Sequence, residues 1–164
     1  METAKAWTDF FITAAGAAAS LVGLVIVAIS VNLQRILEQP QLPSRGAATI
    51  GTLVLILVSS MAQLIPQPVT VLAVEIVGIS ILVWLLQFWS ARHSVLAYMA
   101  SRRPLFESLI GIMIGQIQVI PFIVGGIWLF KSQSAGTYWI ATGVIVTFIC
   151  SVLNAWILLV EILR

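Results

Sequence analysis

The sequence predicts an all-α integral membrane protein of five transmembrane helices, with its N-terminus outside and its C-terminus in the cytoplasm. Three observations predict it. Of 164 residues, 60% are hydrophobic and 9% are charged, whereas soluble domains run at roughly 45–50% apolar and about 25% charged. Five apolar runs are each long enough for a bilayer core of about 30 Å, which takes about 20 helical residues. The basic residues fall almost entirely on one side of those five runs, as the positive-inside rule asks of cytoplasmic ends. The connections between the runs are short, so residues 1–164 read as one transmembrane domain.

The first span, Trp7–Leu33, follows METAKAWTDFF, which starts with an acid and lacks the basic opening of a cleavable signal. Asp9, after Thr8, suits the positive end of the helix dipole. In GAAASLVGLVIVAIS, residues Gly16, Ser20, Gly23, Val27 and Ser30 share one face at steps of three or four. Such a small-residue face lets another backbone approach closely, within the chain or between subunits. Beyond it, NLQRILEQ sets Leu33, Ile36 and Leu37 against Gln34, Arg35 and Glu38, as suits a helix lying at the headgroups. QPQLPSRG then stops the helix.

The second span, Gly46–Ile65, and the third, Val69–Ser90, are separated only by PQP and are expected to form an antiparallel hairpin. Thr52, Ser59 and Gln63 make a short polar stripe on the second. The third carries Glu75 inside TVLAVEIVGISILVW, roughly 10 Å below the outer boundary at about 1.5 Å per residue. Counting inward along the other spans brings Gly16, Ser59, Ser60, Pro121, Phe122 and Gly143 to the same level. A cavity beside the acid is therefore expected. With no Lys or Arg at that depth, the carboxyl is expected to keep its proton and donate to Ser59, Ser60 or Gln63. An intramembrane acid is also a default hypothesis for a proton or cation site.

After the third span, ARHSVLAYMASRR groups Val95, Leu96 and Met99 beneath Arg92 and Arg102. Arg92, Arg102 and Arg103 serve topology first, and contact with anionic lipid second. His93, the only histidine, reads as a surface residue.

The fourth span, Ser108–Phe130, opens with Pro104 and Glu107 in places that suit a helix start. Gly111, Gly115, Gln118, Phe122 and Gly125 or Gly126 repeat the small-residue theme, and Gln116 and Gln118 face different sides. One of the two is expected to face a neighbouring subunit. Pro121 cannot donate to the carbonyl of Ile117 and is expected to kink the helix. The fifth span, Thr137–Leu163, carries the longest polar stripe: Gly143, Thr147, Ser151, Asn154 and Glu161 share a face at steps of four, four, three and seven. Hydrogen bonding between helices explains it most simply, with a wetted path as the alternative.

Arg35, Arg45, Arg92, Arg102, Arg103 and Arg164 fall on the cytoplasmic side of this arrangement, and Lys5 and Lys131 on the other. Trp7, Trp128 and Trp139 lie near the outer surface and Trp89 and Trp156 near the inner one, as aromatic belts do. A net charge of +2 is too small to argue for a nucleic-acid partner. Cys150 is the only cysteine, which rules out an intrachain disulfide.

The segment SLVGLVIVAISVNLQRIL resembles the first span of a group of small bacterial multi-span inner-membrane proteins. The resemblance covers one helix. It implies a bacterial inner-membrane location and implies no activity and no site residue.

No HExxH, CxxC, glycine-rich phosphate loop or nucleophile with an evident base is present. No enzymatic role, cofactor or metal is expected. The expected role is that of a homo-oligomer, or of an accessory subunit of a larger membrane complex, with the bilayer and other membrane subunits as partners. A proton or cation channel or transporter subunit using Glu75 is the alternative. A lateral pocket for a lipid or other hydrophobic ligand is the third reading.

Overall fold

Apolar runs in a medium without hydrogen-bonding solvent must satisfy their backbone internally, and helix is the local way to do it. The computed structural model describes residues 2–38, 42–100, 113, 115–131 and 133–163, with side chains except at 2–6, 35, 93–94, 96–100 and 157–163. Helices α1 (Glu2–Val31), α2 (Leu33–Glu38), α3 (Leu42–Leu64), α4 (Val69–Ala100), α5 (Ile120–Leu129) and α6 (Gln133–Leu163) follow in order. A helical turn at 115–117 precedes α5, and no strand occurs among the described residues.

Four segments, Trp7–Val31, Leu42–Leu64, Val69–Arg92 and Gln133–Trp156, are long and apolar enough to cross a membrane. The fourth expected span differs. Its described helical part is Gly115–Leu129, and Arg102, Arg103, Pro104, Glu107, Ser108 and Gly111 lie outside the described residues, as does Arg164. The side chains of Lys5, Arg35, His93, Leu96, Met99 and Glu161 lie outside them too. Helix α3 starts four residues earlier than expected, at Leu42. Pro43 allows this, because a proline in the first turn gives up an N–H that has no helical partner anyway.

Helix α3 is central. It packs against α1, α4 and α6, while α5 packs on both α4 and α6. Of the α3 span 56% is buried, against 17% for α1, and α3 is the less apolar of the two, with a mean hydropathy of 1.8 against 2.3. This order is opposite to that of a water-soluble bundle. In lipid the most apolar helices belong outside, and small or hydroxyl side chains bring backbones together inside. Buried Gly46, Ala48, Thr49, Gly51, Thr52, Ser59, Ser60 and Ala62 supply them on α3.

The hairpin expected from PQP forms: α3 and α4 pack together. Gln87 Nε2 donates to the Ala48 carbonyl at 3.3 Å and Ser90 Oγ to the Ser44 carbonyl at 2.9 Å. Helices α5 and α6 run antiparallel in constant register. Leu129 meets Gly136, Gly125 meets Ile140, Phe122 meets Gly143, and the Gln118 carbonyl meets Thr147. The Trp7 ring lies 4.8 Å from that of Tyr138, edge to face, so α1 and α6 start at the same end. That end, called upper here, also holds the turn at 65–68.

Helix α2 corrects one expectation. Helix α1 does not run straight into it but breaks at Asn32. Ile36 alone turns inward, against Leu42 and Ile29, while Leu33 and Leu37 are exposed.

Candidate functional site

The chemistry-bearing groups divide into an enclosed set between α3, α5 and α6 and an outward set on α1 and α4. The enclosed set begins at the break before α5. Pro121 has no N–H, so the carbonyl of Ile117 loses its helical donor. The backbone tightens around the gap: Val119 N–H donates to Gln116 at 3.3 Å, and Phe122 N–H to Val119 at 3.1 Å. In a regular helix Phe122 would serve the Gln118 carbonyl. That carbonyl instead accepts the Thr147 hydroxyl of α6 at 2.9 Å. A neighbouring hydroxyl re-satisfying a freed carbonyl is what permits a broken helix at membrane depth. The expected kink at Pro121 is thus a break, and it is tied to the polar stripe of α6.

One turn below Thr147, the Ser151 hydroxyl lies 3.0 Å from that of Thr52. Thr52 spends its own proton on the Thr49 carbonyl at 2.9 Å, so Ser151 is the donor of the pair. Thr52, Thr147 and Ser151 are wholly buried, and Asn154, next along the stripe, is half-buried. Gln118 is 1% exposed, yet neither its amide nitrogen nor its amide oxygen has a hydrogen-bond partner. The same holds for Ser59 Oγ, Ser60 Oγ and Gln63 Nε2. Elsewhere hydroxyls satisfy themselves on the carbonyl one turn back: Thr13 on Asp9, Ser20 on Gly16, Ser30 on Ile26, Ser80 on Ile76 and Thr142 on Tyr138. Ser59 and Ser60 depart from that habit.

Glu75 is not part of this set. It is exposed on the outer side of α4, where Gln67 Nε2 donates to its Oε2 at 2.7 Å and to the Ala62 carbonyl at 3.3 Å. The expected donation from Glu75 to Ser59, Ser60 or Gln63 is replaced by this contact. Counting residues along each span treats the PQP joint as a flat lid, whereas Gln67 folds back over the first turns of α4 and meets the acid there. The expected cavity beside Glu75 is replaced as well. Gly16 faces outward with nothing within 4 Å of its Cβ position, and a Cβ at Gly143 would lie 2.9 Å from the Phe122 ring and 3.2 Å from Pro121. Lys131 sits over Trp128, 5.6 Å from the ring centroid.

The small-residue faces divide in the same way. A Cβ at Gly115 would meet Gln87 at 3.0 Å, and at Gly126 it would meet Val77 at 2.6 Å. These glycines close the α4–α5 contact. Gly16, Ser20, Gly23 and Val27 of α1 all face outward, and a Cβ at Gly23, or at Gly78 of α4, meets nothing within 4 Å. Gln118 is enclosed and Gln116 half-buried, so the enclosed one of the pair is the one beside the break.

Sequence reading missed Ser80, Gln87 and Ser90, all buried on α4. Their signal was the alternation of four and three in Ile76, Ser80, Val83, Gln87 and Ser90, the seam of a left-handed helix pair. No protein-family model, no curated protein and no solved structure matches this chain.

Proposed function

We propose that the protein is a five-span bundle of the bacterial inner membrane, N-terminus outside, which works as a homo-oligomer or as a subunit of a larger membrane complex. Its neighbours dock on the outward faces of α1 and α4. Five crossings are supported by helix polarity. Helices α1 and α6 start at the upper end, α4 leads away from it, and Gly115–Leu129 brings the chain back. The arginines at the lower ends and the positive-inside rule support that end as cytoplasmic.

The observation that carries the docking role is the α1 face of Gly16, Ser20 and Gly23, which is exposed and open around both glycines. Small residues give hydrocarbon chains little to pack against but let a second helix approach closely. Helix α4 adds Gly78 and the outward Glu75, an acid that accepts from Gln67 of the turn before the helix. Facing hydrocarbon, such a group is expensive, and a protein neighbour lowers the cost. Conduction through Glu75 has less support, because the acid lies apart from the enclosed polar groups.

Cysteine cross-linking in native membranes tests the docking role. In a Cys150→Ser background, Ser20→Cys is expected to give an oxidised adduct of twice the chain mass, or of chain plus partner. Ile149→Cys, on the exposed side of α6, is expected to give none. If Ser20→Cys reacts only as monomer, the face is a lipid face.

A further inference from the structure

We infer that the enclosed seam between α3, α5 and α6 is a hydrated pocket at membrane depth, entered from the upper end and closed below by Thr52 and Ser151. It takes water, as the smallest uncharged molecule that both donates and accepts, and it turns ions away. Four buried polar atoms on Ser59, Gln63 and Gln118 have no partner among the described residues, and Ser60, about 100° further round α3, is a fifth that lies towards α1. A buried polar atom left dry forfeits the hydrogen bonds it would make to water. Polar atoms enclosed in this way are where internal waters bind, each water making about three hydrogen bonds.

The positions make a ladder. The Thr52–Ser151 and Thr147–Gln118 contacts fix how α3, α5 and α6 are aligned. Ser59 lies seven residues above Thr52 on the same face, about 10 Å, while Thr147 is about 6 Å above Ser151. Ser59 therefore stands about 4 Å above the level of Gln118, and Gln63 about 6 Å above Ser59. Such steps suit one or two waters each. The upper rung, Gln63, is only half-buried and gives the entrance. The lower rung is a satisfied pair, since Ser151 donates to Thr52 and Thr52 to Thr49.

The lining decides the charge of the occupant. Among the described residues, the buried polar side chains are serine, threonine and glutamine, with no acid or base. An ion would meet no counter-charge there, and amide N–H donors would oppose a cation. The pocket is independent of the docking role, since it lies inside one chain.

Water-edited solid-state NMR on the full chain in bilayers tests it, with glutamine side chains labelled and Gln118 assigned by its loss in Gln118→Met. Transfer from water to the Gln118 amide is expected to match that of exposed Gln34 and to run several-fold faster than that of Gln87, whose amide is buried on Ala48. Transfer no faster than at Gln87 overturns the pocket. Gln118→Met is a second reading, because removing a dry orphan amide raises Tm and removing a hydrated one does not; a raised Tm also overturns it. Exchanging NaCl for KCl is expected to leave the Gln118 signal in place, and a shift would overturn the exclusion of ions.

Discussion

At the scale of single residues, Thr147 and Pro121 form a coupled pair although they do not share a helix. The proline costs α5 a donor, the backbone tightens, and the threonine serves the carbonyl that the tightening frees. Thr147→Val keeps the shape and removes the donor. It is expected to destabilise by about 1–2 kcal/mol, within the range for one lost interhelical bond and an unsatisfied carbonyl. Unfolding in mixed micelles would measure it. In a Pro121→Ala background the Phe122 N–H is free to return to Gln118, so the same substitution is expected to cost less, by about 0.5–1 kcal/mol of coupling. Additive costs would separate the two residues. Glu75 behaves more locally. Glu75→Gln retains an acceptor for Gln67 and is expected to leave folding unchanged, while Glu75→Ala loosens the turn by about 0.5–1.5 kcal/mol. The acid itself was legible as an anomaly in an apolar run. Its partner was not, because a side chain folding back from a turn leaves no periodic trace.

Elements were legible where hydropathy is continuous and obscure where backbone chemistry is local. Four helices follow from run length, and their stops from QPQLP and PQP. The break at Gln118–Val119 was half visible through Pro121, but its position depends on which carbonyl a neighbouring helix can reach. Small-residue spacing also failed to say which way a face turns. Gly16 and Gly136 look alike in sequence, yet a Cβ at Gly16 meets nothing and one at Gly136 lies 2.7 Å from the Leu129 backbone nitrogen. Gly136→Ala is therefore expected to force α5 and α6 apart at a cost of about 1–3 kcal/mol. Gly16→Ala is expected to be neutral or to stabilise the isolated chain by up to about 1 kcal/mol through helix propensity. Thermal unfolding of both variants in monomeric micelles checks the contrast, and equal effects would mean that the two faces are not different.

For the whole molecule, the inside-out order is the organising fact: the least apolar long helices hold the centre, and the most apolar meet the lipid. Composition announced the class, but which helix is central was not written in any one span. Helix α3 takes that place through its many small residues, a property seen only when the spans are compared. The polar stripe of α6 then has α3 to bond with, and α1 and α4 are left with faces that none of the described residues covers. Those uncovered faces carry the central claim. Fluorescence energy transfer between labelled copies in liposomes, diluted with unlabelled lipid, measures their association directly. Wild type is expected to associate, and Gly16→Leu with Gly23→Leu to weaken it at least tenfold, about 1.4 kcal/mol, with the monomer fold intact because both sites are open. Undiminished association in the double variant, or none in the wild type together with no co-purifying membrane partner, would contradict the account.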